Sequence, residues 1–285
     1  MTIIAGLIQN RPDPNLTGDR LRQQMLADYP DLSPTLLSVH AADRPGENHP
    51  VYLTYGDRLI AMTGVPAPVG DGLDHMAQES PLWPDDVPTP GNCGAQKILT
   101  VLRPDDDTLS RSEETRHIAA MDDATLLSRA MAAAIAVSDS IAAVYFASAG
   151  HVAEPTTFRE MALEAPSASL LSAWVSRNIA VSPHGVVSGY TRGMDMLGLM
   201  DIEIIESPES AEDTFMRLTA ISTYQFQNGP VIGDGDSLGG TEDVELLASH
   251  APSVNTPAKT VLRLTFANSE EVPARQKRKR WFRRR

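Results

Sequence analysis

The sequence predicts an α+β fold of two ferredoxin-like (βαββαβ) halves in tandem, joined by a bridging helix and followed by a disordered basic C-terminal tail. Three observations carry this. Short β-branched runs bounded by Gly and Pro alternate with stretches of helical periodicity. The order strand, helix, strand, strand, helix, strand can be read once from Thr2 and again from Ser140. HPVYLTYG at 49–56 and HGVVSGYT at 184–191 fall at corresponding places in the two readings. The divisions expected are 1–104 for the first half, 105–138 for the connector and bridging helix, 139–268 for the second half and 269–285 for the tail.

TIIAGLIQ (2–9) is almost wholly apolar and reads as a strand buried on both faces. Pro12 and Pro14 break it. Thr17 can cap a helix on which Leu21, Met25 and Tyr29 recur every four residues. TLLSVHA (35–41) reads as a strand, and PVYLTYGDRLIAMTG as one or two strands around a Gly56-Asp57 turn. A proline-rich bend leads to a short helix at 72–80, and AQKILTVLR (95–103) is a further strand. The charged stretch from Arg103 to Arg116 reads as a surface connector. Asp122 or Asp123 then opens the helix to about Val137. IAAVYFAS is a strand, PTTFREMALEA a short helix, and GVVSGYT and MDIEIIE are strands. Ser207 as N-cap and Pro208 as first helical residue predict a helix over 208–227, stopped by Asn228-Gly229-Pro230. TEDVELLASHAPSVNTPA is ambiguous, and KTVLRLTFA (259–267) closes the fold.

Length and composition bound the function. At 285 residues and 42% hydrophobic, the chain can bury a sizeable core. No apolar run approaches the ~20 residues of a membrane span, and the N-terminus lacks the basic region and long apolar stretch of a secretory signal. One cysteine, Cys93, excludes an intramolecular disulfide. A cytoplasmic location is therefore expected. The net charge of −13 is divided unevenly: 8 of the 24 basic residues lie in the last 11 positions, which leaves residues 1–274 at −21. Such a body argues against a nucleic-acid surface on the fold itself.

Each chemical motif competes with a plainer reading. Gly235-Asp236-Ser237-Leu238 spells a lipase-like hydrolase signature with Ser237 as nucleophile, and Asp236 and His184 complete the candidate site. It lies in the last fifth of the chain, where a Gly/Asp turn accounts for it equally. Asp234, Asp236 and Glu245 can be laid on a calcium-loop template, but Leu238 stands where an oxygen ligand is required. The histidines at 40, 49, 75, 117, 151, 184 and 250 show no metal spacing. Cys93 could act as a nucleophile with a distant histidine. No P-loop and no dinucleotide-binding glycine pattern occurs, so no cofactor is expected. The tail interleaves cations with aromatics, and Arg278, Arg280, Trp281, Phe282 and Arg283 are its candidate contacts for nucleic acid or an anionic lipid surface.

YTRGMDMLGLMDIEII, the helix after it and NGPVIGDGDSLGG together resemble the bacterial family called domain of unknown function 4261. IAMTGVPAPVGDGL, followed by SPLW, resembles that family's N-terminal half, so the likeness spans most of residues 1–267; the basic tail is not part of the pattern. The resemblance implies a scaffold of glycine, proline and aromatic positions and supplies no catalytic residues. The reading favoured is a non-catalytic, cytoplasmic protein-interaction module. It meets a basic protein partner through an acidic face, as an accessory or immunity-type protein beside a toxin or secretion system would. The alternatives are a hydrolase using the turn at 233–240, and attachment to nucleic acid or membrane through the tail.

Overall fold

A computed structural model describes residues 4–40, 50–68, 72–103, 112–164, 168–240 and 244–268. The chain divides into two compact units, Met1–Trp174 and Val175–Arg285. Each has its own sheet, with thirteen strands and six α-helices in total among the described residues.

The first unit is organised by β1 (Ile4–Gln9), five of whose six residues are buried. A strand apolar on both faces needs neighbours on both edges and cover above and below. β1 runs antiparallel to β5 (Ala95–Leu102) on one side and to β6 (Ile141–Phe146) on the other. With β2 (Leu37–Val39), β3 (Val51–Tyr55), β4 (Arg58–Val65) and β7 (His151–Ala153), the sheet order is β2-β3-β4-β5-β1-β6-β7. β3 and β4 form the expected hairpin, with Tyr55 opposite Arg58 and Gly56 taking the positive φ of 62° that a two-residue turn demands.

Three helices pack together on the first unit: α1 (Gly18–Asp28) against α3 (Glu113–Val137), and α3 against α4 (Pro155–Leu163). Arg159 of α4 pins them by donating to Asp28 Oδ2 at 2.7 Å and to the Ala132 carbonyl at 2.7 Å. Phe158 of α4 meets Phe146 of β6 with ring centroids 5.6 Å apart. Ile8, whose side chain leaves β1 opposite to that of Leu7, packs with α2 (Leu73–Gln78), Trp83, Cys93, Ala143 and Val152. A further short helix, α5 (Leu170–Trp174), ends the unit.

Several of these features differ from the sequence expectation. Residues 139–174 contribute β6 and β7 to the first sheet, because β6 finds its partner in β1. α3 packs within this unit on α1, α4 and β5. It starts at Glu113, nine residues before Asp122, because Ser112 caps it by accepting from the Thr115 N–H, with Glu113 and Glu114 in its first turn. With β2, β3 and α2 set aside, the elements β1, α1, β4, β5, α3 and β6 follow one another as strand, helix, strand, strand, helix, strand, and the four strands lie in the order β4-β5-β1-β6.

The second unit has six strands in the order β11-β12-β13-β10-β9-β8. They are β8 (Ser176–Val181), β9 (Val187–Arg192), β10 (Ile202–Ser207), β11 (Ser237–Gly240), β12 (Val244–Pro252) and β13 (Thr260–Asn268). β10 and β13 are parallel; the other pairs are antiparallel. Among the described residues the unit holds one α-helix, α6 (Ala211–Asn228), so the two-helix order of the first unit is not repeated here. Ser210 caps α6 by accepting from the Asp213 N–H. Ser207 and Pro208 do not: Ser207 ends β10, where the register slips and Glu206 takes a φ of 52°. The ambiguous stretch after Gly240 contains β12, paired with β13 over nine residues.

Leu218 and Ile221 of α6 pack on Ile202, Ile204, Leu262 and Leu264. The helix comes so close to β9 that a Cβ on Gly189 would lie 2.8 Å from Leu218 Cδ1, 3.0 Å from Thr214 Cγ2 and 3.2 Å from Ile179 Cδ1. Gly189→Ala is expected to destabilise the second unit by about 1–3 kcal/mol, the usual range for overpacking. A denaturant midpoint equal to that of the parent would show that α6 does not sit this close.

Candidate functional site

The densest set of perturbed ionisable groups among the described residues lies where β10 begins. Between β9 and β10 the chain makes a 3-10 turn, Met194–Leu197, flanked by Gly193 and Gly198, both at positive φ. Asp201, 8% exposed, closes it: its Oδ1 accepts from the Met194 N–H at 3.0 Å and from the Thr191 hydroxyl at 3.1 Å. The Thr191 Oγ1 in turn accepts from the Ile202 N–H at 2.8 Å. Burial, aided by the neighbouring Asp195 carboxylate, pushes the Asp201 carboxyl up to about 6 against the opposing pull of these donors and Lys259. Lys259 reaches Asp195 Oδ2 at 2.5 Å, and this bond holds its ammonium above the ordinary lysine range.

Two residues along β10, Glu203 is displaced in the opposite sense. Its side chain is 3% exposed. Burial alone would raise it, but Ser253 Oγ donates to it at 2.5 Å, the Val254 N–H at 3.1 Å and Arg263 Nη2 at 3.2 Å, and the net displacement is downward. Ser253 Oγ also accepts from the Asn255 and Thr256 N–H groups. The β12–β13 loop that carries Lys259 is thus tied to the sheet through one carboxylate. Chemically, the cluster pairs an acid near neutrality with a strongly held carboxylate. Both are occupied by backbone and side-chain donors of their own fold.

The residues singled out from the sequence are placed differently. Ser237, 1% exposed, sits on edge strand β11, and its Oγ has no hydrogen-bond partner among the described residues. His184 is exposed in the β8–β9 turn. Four strand spacings separate β11 from β9, about 19 Å across the sheet, so Ser237 and His184 are not brought together. Asp236 Oδ2 accepts from the Gly233 N–H at 2.9 Å, and Asp234 Oδ1 from the His250 N–H at 2.8 Å. Asp236 shapes its own turn, and Asp234 ties that turn to β12. Glu245 is buried on β12, and no group of three metal-ligating side chains forms among the described residues. Cys93 lies in the apolar cluster of the first unit, and burial, reinforced by Asp74, pushes its thiol up, away from the thiolate a nucleophile requires. His151 and His250 contact the carbonyls of Ala173 and Ile232. His49, Arg278, Arg280, Trp281, Phe282 and Arg283 lie outside the described residues.

A second polar group, also absent from the sequence reading, sits in the first unit. Gln9 donates to Ser140 Oγ at 2.9 Å, and Ser138 Oγ donates to Asp13 Oδ2 at 2.6 Å. Lys97, 2% exposed on β5, is pushed down by burial, with Asp13 acting to raise it. The sequence signal available for both groups was a charged residue inside an apolar strand, Lys97 in AQKILTVL and Glu203 in DIEII.

Residues 190–265 match the model of a family described as Domain of unknown function (DUF4261). The match covers YTRGMDMLGLMDIEII, α6 and the Gly/Asp turn, and with them the whole Asp201–Glu203 cluster; the stretch IAMTGVPAPVGDGL lies outside it. No curated protein and no solved structure matches the chain.

The sign of the Asp201 displacement gives a test. Its folded value of about 6 exceeds the ordinary carboxyl value near 4, so the folded state binds the proton more tightly. The stability this contributes is complete below about pH 4 and is lost as pH rises through about 6, on the order of 3 kcal/mol at most. Asp201→Asn keeps the acceptor and removes the titration. Its stability relative to the parent is expected to rise between pH 4 and 7, measured by urea unfolding across that range. Parallel curves for the two proteins would refute the assignment.

Proposed function

We propose that this chain is a non-catalytic protein-interaction module. The observation that carries this reading is the use of its polar side chains. In the matched segment Asp201 and Asp236 accept from backbone N–H groups of their own turns, Glu203 from the Val254 N–H of the β12–β13 loop and Asp234 from the His250 N–H of β12. The one hydroxyl with a hydrolase-like sequence context, Ser237, stands about 19 Å of sheet away from the turn that carries His184. Catalysis needs groups aimed at a common reacting atom, and these groups are aimed at their own backbone.

The partner this reading calls for is a basic protein, drawn by the −21 carried on residues 1–274. An accessory or immunity-type protein in the bacterial cytoplasm is the version that charge complementarity favours. We read the single βαββαβ path of the first unit as a ferredoxin-like scaffold, and the second unit as the part that meets the partner.

The test is capture from the native host at about 50 mM salt, with the full chain and with a chain ending at residue 274 as baits. Both are expected to retain the same basic protein, and to lose most of it near 500 mM salt, where charges are screened within a few ångströms. Glu212→Lys with Asp213→Lys should weaken the capture. Turnover of an ester or amide substrate that disappears in Ser237→Ala would overturn the reading.

A further inference from the structure

α6 turns Thr214, Leu218, Ile221, Ser222 and Gln225 inward. It leaves two adjacent large apolar side chains outside, Phe215 at 44% and Met216 at 57% exposure. Glu212 and Asp213 stand exposed just before them, and Glu206 is exposed at the end of β10. The helix dipole accounts for acids in a first turn. It does not account for a phenylalanine and a methionine facing water beside them, an arrangement typical of a contact surface.

The course of the chain supplies an occupant. Arg217, next to Met216, places its guanidinium carbon 5.6 Å from the ring centre of Phe266 on β13. β13 ends two residues later, at Asn268, so the chain leaves the sheet beside this half of α6. The sequence that follows carries eight cations over residues 275–285, with Trp281 and Phe282 set between Arg280 and Arg283. Two adjacent aromatics flanked by cations complement two adjacent apolar residues flanked by acids.

We propose that the basic segment 275–285 docks within its own chain on the N-terminal half of α6, with Trp281 and Phe282 against Phe215 and Met216 and its cations facing Glu212, Asp213 and Glu206. Twelve residues separate Asn268 from Trp281 and can span up to about 40 Å when extended, more than a neighbouring site requires. A tether this short gives an effective concentration on the order of millimolar, so a contact too weak to hold two separate molecules still closes within one. The inference stands apart from the proposed function: failure of the capture experiment leaves it intact.

Zero-length carbodiimide coupling of carboxylates to amines tests it on the full chain, because the segment contains Lys277 and Lys279. An equal mixture of unlabelled and nitrogen-15-labelled chains is coupled at low salt and its joined peptides are weighed. The expected product joins Glu212 or Asp213 to Lys277 or Lys279 within one chain, without label mixing, and is lost near 1 M salt. Phe215→Ser with Met216→Ser, both at exposed positions, should abolish that product while the thermal melt stays unchanged. Label-mixed pairs, joins scattered over the carboxylates of the body, or a product that survives the double substitution would each overturn the proposal.

Discussion

The second unit depends on one parallel rung, Glu203 of β10 beside Arg263 of β13. Parallel neighbours cannot be joined by a tight turn, and here the chain between them runs through α6, β11 and β12. The connection returns in register with help from Glu203, which gathers Ser253, Val254 and Arg263 onto one carboxylate. A carboxylate taken out of water needs such a set of donors, since an unpaired one would cost several kcal/mol. Once the 253–259 loop is held, Lys259 can meet Asp195, and the turn closed by Asp201 is braced from outside.

The opposite displacements of Asp201 and Glu203 follow from the same arrangement. Glu203 collects a guanidinium, a hydroxyl and backbone donors, enough to outweigh its burial. Asp201 has a hydroxyl and one N–H, and it faces a second carboxylate in Asp195, so burial prevails. In an enzyme, two carboxyls pushed apart in this way would suggest an acid and a base. Here Asp201 accepts from the Met194 N–H of the turn before it and Glu203 from the Val254 N–H of the β12–β13 loop, and the difference between them expresses how that turn and that loop are held.

Much of this fold was legible in the chain. TIIAGLIQ announced a strand buried on both faces, and the Gly56-Asp57 hairpin, β5, β6, β9, β10 and the stop after Asn228 were read from local signals. What escaped was tertiary or competed locally. Ser207-Pro208 and Ser210 are both capping signals, and the slip at the end of β10 gives the helix to Ser210. The charged stretch from Arg103 to Arg116 looks like a connector by composition, yet Ser112 with Glu113 and Glu114 starts α3 within it. The repeated strand and helix order suggested two equal halves. Sequence order alone does not say that β6 pairs with β1. The candidate cluster was hidden for a related reason: Asp201, Glu203 and Lys259 are far apart or unremarkable in sequence, whereas Gly-Asp-Ser-Leu is conspicuous and proves to be a turn leading into an edge strand.

The central claim is that the buried carboxyls of the matched segment act as internal ties. The most direct measurement is a carbon-detected NMR titration of the Asp201 and Glu203 carboxyls, with the backbone amides followed in the same samples. The account predicts a midpoint near 6 for Asp201 that moves the Met194 amide. It predicts a midpoint below the ordinary 4.5 for Glu203 that moves the Val254 amide. Ordinary midpoints for both, with those amides unmoved, would contradict it.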